Sequence, residues 1–220
     1  MAQQLLDPDK SKITPTGSWK PSGPIPADVR AFEYFPNIDD WLPGDLLLVS
    51  ASKPGWVSRQ IISAQSRGGY SPDDARWHHA AMYIGDAHIC EAVGRGVHAA
   101  PMFEYIGGHL LRVRRDSQLS AEARFRLAIK ALTRMRNSYS RGSVFKLFFQ
   151  SFKGFWGDSD QPFAPLGIRA VICSQLYADA YAMATSKLIT STPTVQVTPA
   201  ALSETALLVD VPVRWHSIGT

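Results

Sequence analysis

Apolar and polar positions along the chain follow two periods, and the switches between them mark out the elements. Leu46 to Val49, in "GDLLLVS", is an unbroken apolar run behind the turn signal Pro43-Gly44, which predicts a buried strand. Trp56, Val57, Ile61 and Ala64 then recur at helical spacing, and Gly68-Gly69 close that helix. The period returns to two in "HAAMYI" at 79–84: His79, Ala81 and Tyr83 share one side, Ala80, Met82 and Ile84 the other. Gly85-Asp86 predicts a tight turn and "HICEAV" at 88–93 the returning strand of a hairpin. A short strand is expected over 96–99. Another is expected in "LLRVRR" at 110–115, where Leu111 and Val113 alternate with arginines as on a solvated edge.

Ser120 reads as the N-cap of an amphipathic helix, "AEARFRLAIKALTRM", with Glu122 in its first turn. A second helical stripe runs Cys173, Leu176, Tyr177, Ala180 and Ala184. Thr198-Pro199 opens a short helix with proline at its first position, and "LLVDVPVRW" closes the chain as a strand. Residues 1–37, rich in Pro, Ser, Lys and Asp, predict an extended or partly disordered arm, leaving 38–220 as the domain. No internal repeat is present. The order predicts an α+β fold, an antiparallel sheet of about five to six strands packed against helices.

Composition adds boundaries. At 220 residues, 45% apolar and 19% charged, the chain has enough apolar material for one good core. Its 23 basic and 19 acidic residues leave a net charge of +4, without the basic stripe of a nucleic-acid binder. That mild excess suits contact with an anionic membrane surface. Two cysteines are too few for a disulfide framework and fit a reducing compartment at synthesis. No apolar stretch approaches the ~20 residues of a membrane span, and the first twenty residues lack a signal-peptide pattern. The expectation is therefore cytoplasmic synthesis, with export by a dedicated secretion machine left open.

The chemistry starts at "WHHAAMYIGD", residues 77–86, where two histidines precede a strand. Glu91 lies an even number of residues beyond His79 across the turn, which predicts that both face the same side of the hairpin, opposite or diagonal to each other. A carboxylate beside an imidazole fixes its tautomer and favours the imidazolium. His78 has the opposite parity and should look away. Cys173 is the candidate nucleophile: it begins the predicted helix, where the free N–H groups and the helix dipole favour a thiolate and could form part of an oxyanion hole. Cys90 faces opposite to Glu91 and reads as core. His78, His79, His88, Cys90 and Glu91 are the right types for zinc, but their parities scatter them over both faces, so neither metal nor cofactor is expected.

"GDLLLVS", "HHAAMYIGD", "ICEAVGRGV" and "VICSQLYADAY", in that order, resemble the circularly permuted NlpC-like papain-fold hydrolases, the YiiX-like group, which is related to the lecithin:retinol acyltransferase-like proteins. The resemblance covers roughly residues 41–215. It implies a permuted papain-like fold with the nucleophile cysteine at a helix N-terminus. It assigns Cys173, His79 and Glu91 as a catalytic triad, and brings in Tyr83 and Ser174 as substrate-side positions. The implied reaction is thiol attack on an acyl ester or amide.

For the substrate, Phe145, Phe148, Phe149, Phe152 and Trp156 recur at helical spacing in "VFKLFFQSFKGFW". Such a stripe is either packed core or a lid for acyl chains at a membrane surface. The second reading makes Phe148, Phe149 and Phe152 substrate contacts and a lipid or lipid-like acyl compound the leading substrate. The alternatives are a peptidase acting on bacterial peptidoglycan peptides, and a non-catalytic binding module on the same fold.

Overall fold

The run Leu46–Val49 is fully buried on both sides of its strand, as its unbroken apolar sequence requires. That strand, β4 (Leu46–Ala51), lies inside an antiparallel sheet. The computed structural model describes residues 5–20, 24–93, 96–136 and 173–219. Across the sheet the order is β1 (Leu5–Leu6), β8 (His109–Arg115), β4, β5 (His79–Gly85), β6 (His88–Val93) and β7 (Gly96–Pro101), with β9 (Val209–Asp210) also pairing β8. Seven strands thus stand where five to six were expected, because the two-residue strands β1 and β9 join from the two ends of the chain. A second sheet of three strands places β10 (Trp215–Ile218) between β2 (Gly17–Trp19) and β3 (Tyr34–Pro36). The architecture is α+β.

Six α-helices are present among the described residues: α1 (Ala27–Phe32), α2 (Trp56–Arg67), α3 (Pro72–Ala75), α4 (Ala121–Leu132), α5 (Cys173–Thr185) and α6 (Pro199–Glu204). Ser120 caps α4 by accepting the Ala123 N–H at 3.2 Å, and Thr198 caps α6 by accepting that of Ala201 at 3.1 Å. On one face of the main sheet, Leu46, Leu48, Ala80, Met82 and Cys90 pack against Leu127 and Ala131 of α4 and Leu176 and Tyr177 of α5. On the other, Leu47, Val49, Ala81, Tyr83 and Ile89 meet Leu6, Phe32, Phe35 and Trp215. Gly44 fastens the helical layer: its φ of +91° suits glycine, a Cβ there would come within 3.1 Å of Leu127, and its carbonyl accepts the Tyr177 hydroxyl at 3.0 Å.

Three expectations change. The described part of residues 1–37 is fastened to the domain through β1 on β8, β2 and β3 on β10, and the buried side chains Leu6, Val29, Phe32 and Phe35. The closing strand is divided: β9 and β10 flank a stretch containing Pro212, which has no N–H to offer a ladder. The strand "LLRVRR" is not a solvated edge. β8 has neighbours on both sides, and Arg114 is buried, donating to the carbonyls of Leu202, Ser203, Thr205 and Leu208 around the C-terminal end of α6. Arg112 forms a fork on Asp210, and Arg115 forms one on the fully buried Asp45.

Candidate active site

His79 and Glu91 are brought together by a detail of the β5–β6 hairpin. Asp86 and Ala87 form its tip with φ of +49° and +54°, and Gly85 pairs with His88. Continued without interruption, that register would set Glu91 opposite Met82 and turn it toward the helices. Instead Ile84 is left out of the ladder as a bulge, and Glu91 pairs with Ala81. Glu91 therefore shares a face with His79 as its diagonal neighbour, and His79 Nε2 lies 2.6 Å from Glu91 Oε2.

Cys173 reaches this pair from the other layer. It is the first described residue of α5, packs with the helical core, and is 8% exposed. Cys173 lies near enough to His79 for each to shift the other's pKa. Burial alone would raise the thiol's pKa; the charge and hydrogen bond of His79, with the backbone N–H groups of Ala80 and Ser174, hold it below its ordinary value. Burial works against the His79 imidazolium too, yet Cys173 and Glu91 together raise its pKa well above the usual histidine range. Glu91, only 3% exposed, is pushed toward neutrality by burial, and His79, Tyr105 and His98 bring it back below its ordinary value. All three shifts run toward the ionised forms: thiolate, imidazolium and carboxylate.

The other histidine of the pair takes a structural part. His78 Nε2 accepts the Ala51 N–H at 2.8 Å, and burial, with the charges of His79 and His109, lowers its pKa to about 4. Cys90 is fully buried against the helices, its thiol pushed up to about 12 by burial and by Glu91.

Two substrate-side candidates, Tyr83 and Ser174, have buried side chains. Tyr83 is 3% exposed, edge-on to Trp41 at 5.5 Å, and its hydroxyl accepts the Ala87 N–H at 3.3 Å. Ser174 is fully buried and donates to the Val197 carbonyl at 2.6 Å. Both side chains are taken up by packing and internal bonds. Phe148, Phe149 and Phe152 lie outside the described residues.

Two residues around Glu91 were missed from the sequence. Tyr105 donates its hydroxyl to Oε2 at 2.5 Å, and His98 Nε2 stands 3.4 Å from Oε1. His98 lies in the short strand expected over 96–99, and the pairing of Val93 with Gly96 sets it opposite Glu91; a hairpin reading across 94–95 would have found it. Tyr105 sits in a 3-10 turn, Met102–Tyr105, which no periodicity announces. Among the described residues no group of three or more His, Cys, Asp or Glu is arranged to hold a metal ion, and no helix is long and apolar enough to cross a membrane.

No family model and no curated protein matches the chain. Among solved structures the chain is similar to the metalloprotein YiiX from Escherichia coli O157:H7 (DUF1105), at 20% identity and a TM-score of 0.49, over 77% of this chain and 96% of that one.

Proposed function

We propose that the chain is a cysteine-dependent acyl hydrolase, with a permuted papain-like fold, in which Cys173 heads its helix as the nucleophile. The observation that carries the reading is the His79–Glu91 hydrogen bond with Cys173 beside the imidazole, the thiol's pKa lowered and the imidazole's raised. The Cys173 thiolate adds to the carbonyl carbon of an ester or amide, forming a C–S bond as the carbonyl electrons move onto oxygen. The oxyanion collapses, the bond to the leaving group breaks, and the His79 imidazolium supplies that group's proton. Neutral His79 then takes a proton from water, which attacks the thioester and releases the carboxylic acid and the thiolate. A second acceptor in place of water turns the hydrolase into a transferase. Glu91 holds the imidazole's orientation and balances its charge throughout.

The leading substrate is a lipid or lipid-like acyl compound, supported by the aromatic stripe of 145–156 and by the resemblance to lipid acyl-transfer proteins. The test presents wild type and Cys173→Ala with phospholipid vesicles and with peptidoglycan fragments and follows new products. Wild type is expected to release fatty acid or lysophospholipid, and the variant to release none while melting like wild type. Cleavage of peptidoglycan peptides alone moves the activity to that substrate. No turnover, with equally slow labelling of Cys173 and Cys90 by a thiol probe, makes the chain a binding module and overturns the reading.

A further inference from the structure

We propose that Tyr105 is a positioning residue of this site, its hydroxyl fixing the Glu91 carboxylate so that one oxygen serves both the tyrosine and His79. The inference rests on the acyl-hydrolase reading and adds a fourth member to the chain of bonds.

The geometry has three parts. Glu91 Oε2 accepts both short bonds, from His79 at 2.6 Å and Tyr105 at 2.5 Å, so the tyrosine pins the very oxygen that orients the imidazole. Among the described residues Oε1 has only His98, at the longer distance of 3.4 Å. Without the phenol, a carboxylate free to turn toward His98 would loosen its hold on His79. The tyrosine itself is placed firmly. Its turn begins at the fully buried Met102, whose N–H donates to the Ala87 carbonyl at 2.8 Å. The phenol ring lies 6.0 Å from the His79 ring and edge-on to His109 at 5.1 Å.

The titratable groups around Glu91 come from every neighbouring element: His79 from β5, His98 from β7, Tyr105 from its turn, with Glu104 beside Tyr105, His109 of β8 against the phenol, and Cys173 of α5 beyond His79. Burial pushes Glu91 toward its neutral form, and the Tyr105 hydroxyl is one of the donors that opposes it. Removing that donor raises the Glu91 pKa. A neutral Glu91 no longer favours the imidazolium, and the thiolate loses its counter-charge at a higher pH than in wild type.

The experiment follows alkylation of Cys173 by iodoacetamide against pH in wild type, Tyr105→Phe and Glu91→Gln, with the melting temperature of each and the downfield imidazole N–H resonance of His79. Wild-type Cys173 is expected to react well below the ordinary thiol range. In Tyr105→Phe the acid limb should move up by about one pH unit, in the direction of Glu91→Gln, and the resonance should shift. A reactive wild type with an unmoved Tyr105→Phe profile overturns the assignment of Tyr105 alone, even where the melting temperature falls. An unreactive wild-type Cys173 overturns the hydrolase reading and this one with it.

Discussion

His78 and His79 are adjacent, yet their surroundings drive their pKa values in opposite directions. His79 is raised by Cys173 and Glu91, whereas His78 is lowered to about 4 and spends its lone pair on the Ala51 N–H. The linkage sign follows. A histidine whose folded pKa lies below its ordinary value of 6.5 contributes stability above that pH and loses it as pH falls toward 4. His78→Gln should therefore be less stable than wild type at pH 7, and the two urea midpoints should converge on acidification. A gap that stays constant from pH 7 to pH 4 would contradict this. At this scale the sequence revealed only part of the site. Strand alternation separated the two histidines and linked Glu91 to His79. Tyr105 was invisible, because a residue in a 3-10 turn has no period from which its direction can be read.

The β5–β6 hairpin shows how a correct pairing can rest on an unseen device. A tight turn in unbroken register would have put Glu91 among the helices beside Met82, and the bulge at Ile84 restores it to the face of His79. Deleting Ile84 should carry Glu91 to the far face and abolish fast Cys173 alkylation; a variant that keeps wild-type reactivity would show that the register is set elsewhere. The arginines of β8 teach a related lesson. Their alternation with Leu111 and Val113 was legible, but their burial was not, because their acceptors are carbonyls and carboxylates more than 70 residues away in sequence, apart from Asp45 at 70. Arg114→Ala strips the carbonyls of Leu202, Ser203, Thr205 and Leu208 of a buried donor. It should cost about 3–5 kcal/mol in a urea titration, the range for breaking a buried charged contact; a loss below ~1 kcal/mol would mean that water replaces the guanidinium.

For the whole molecule, the main sheet separates two cores, and residues 1–37 contribute Leu6, Ile13, Val29, Phe32 and Phe35 to one of them. Each such side chain brings about 1.5–3 kcal/mol on burial, together comparable with the ~5–15 kcal/mol that holds a domain folded. A chain beginning at residue 38 should show no cooperative melt by circular dichroism; a sharp transition near that of the full chain would return the segment to the standing of a dispensable arm. Low apolar density and many prolines made this stretch look detached, since pairing with strands some two hundred residues later leaves no local signature. The site itself straddles the partition: His79 and Glu91 belong to the sheet face with the N-terminal residues, and Cys173 to the helices on the reverse. During synthesis His79 and Glu91 emerge first, and Cys173 follows ninety-four residues after His79. The proposed nucleophile therefore joins the His79–Glu91 pair only once the helical layer has packed on the sheet.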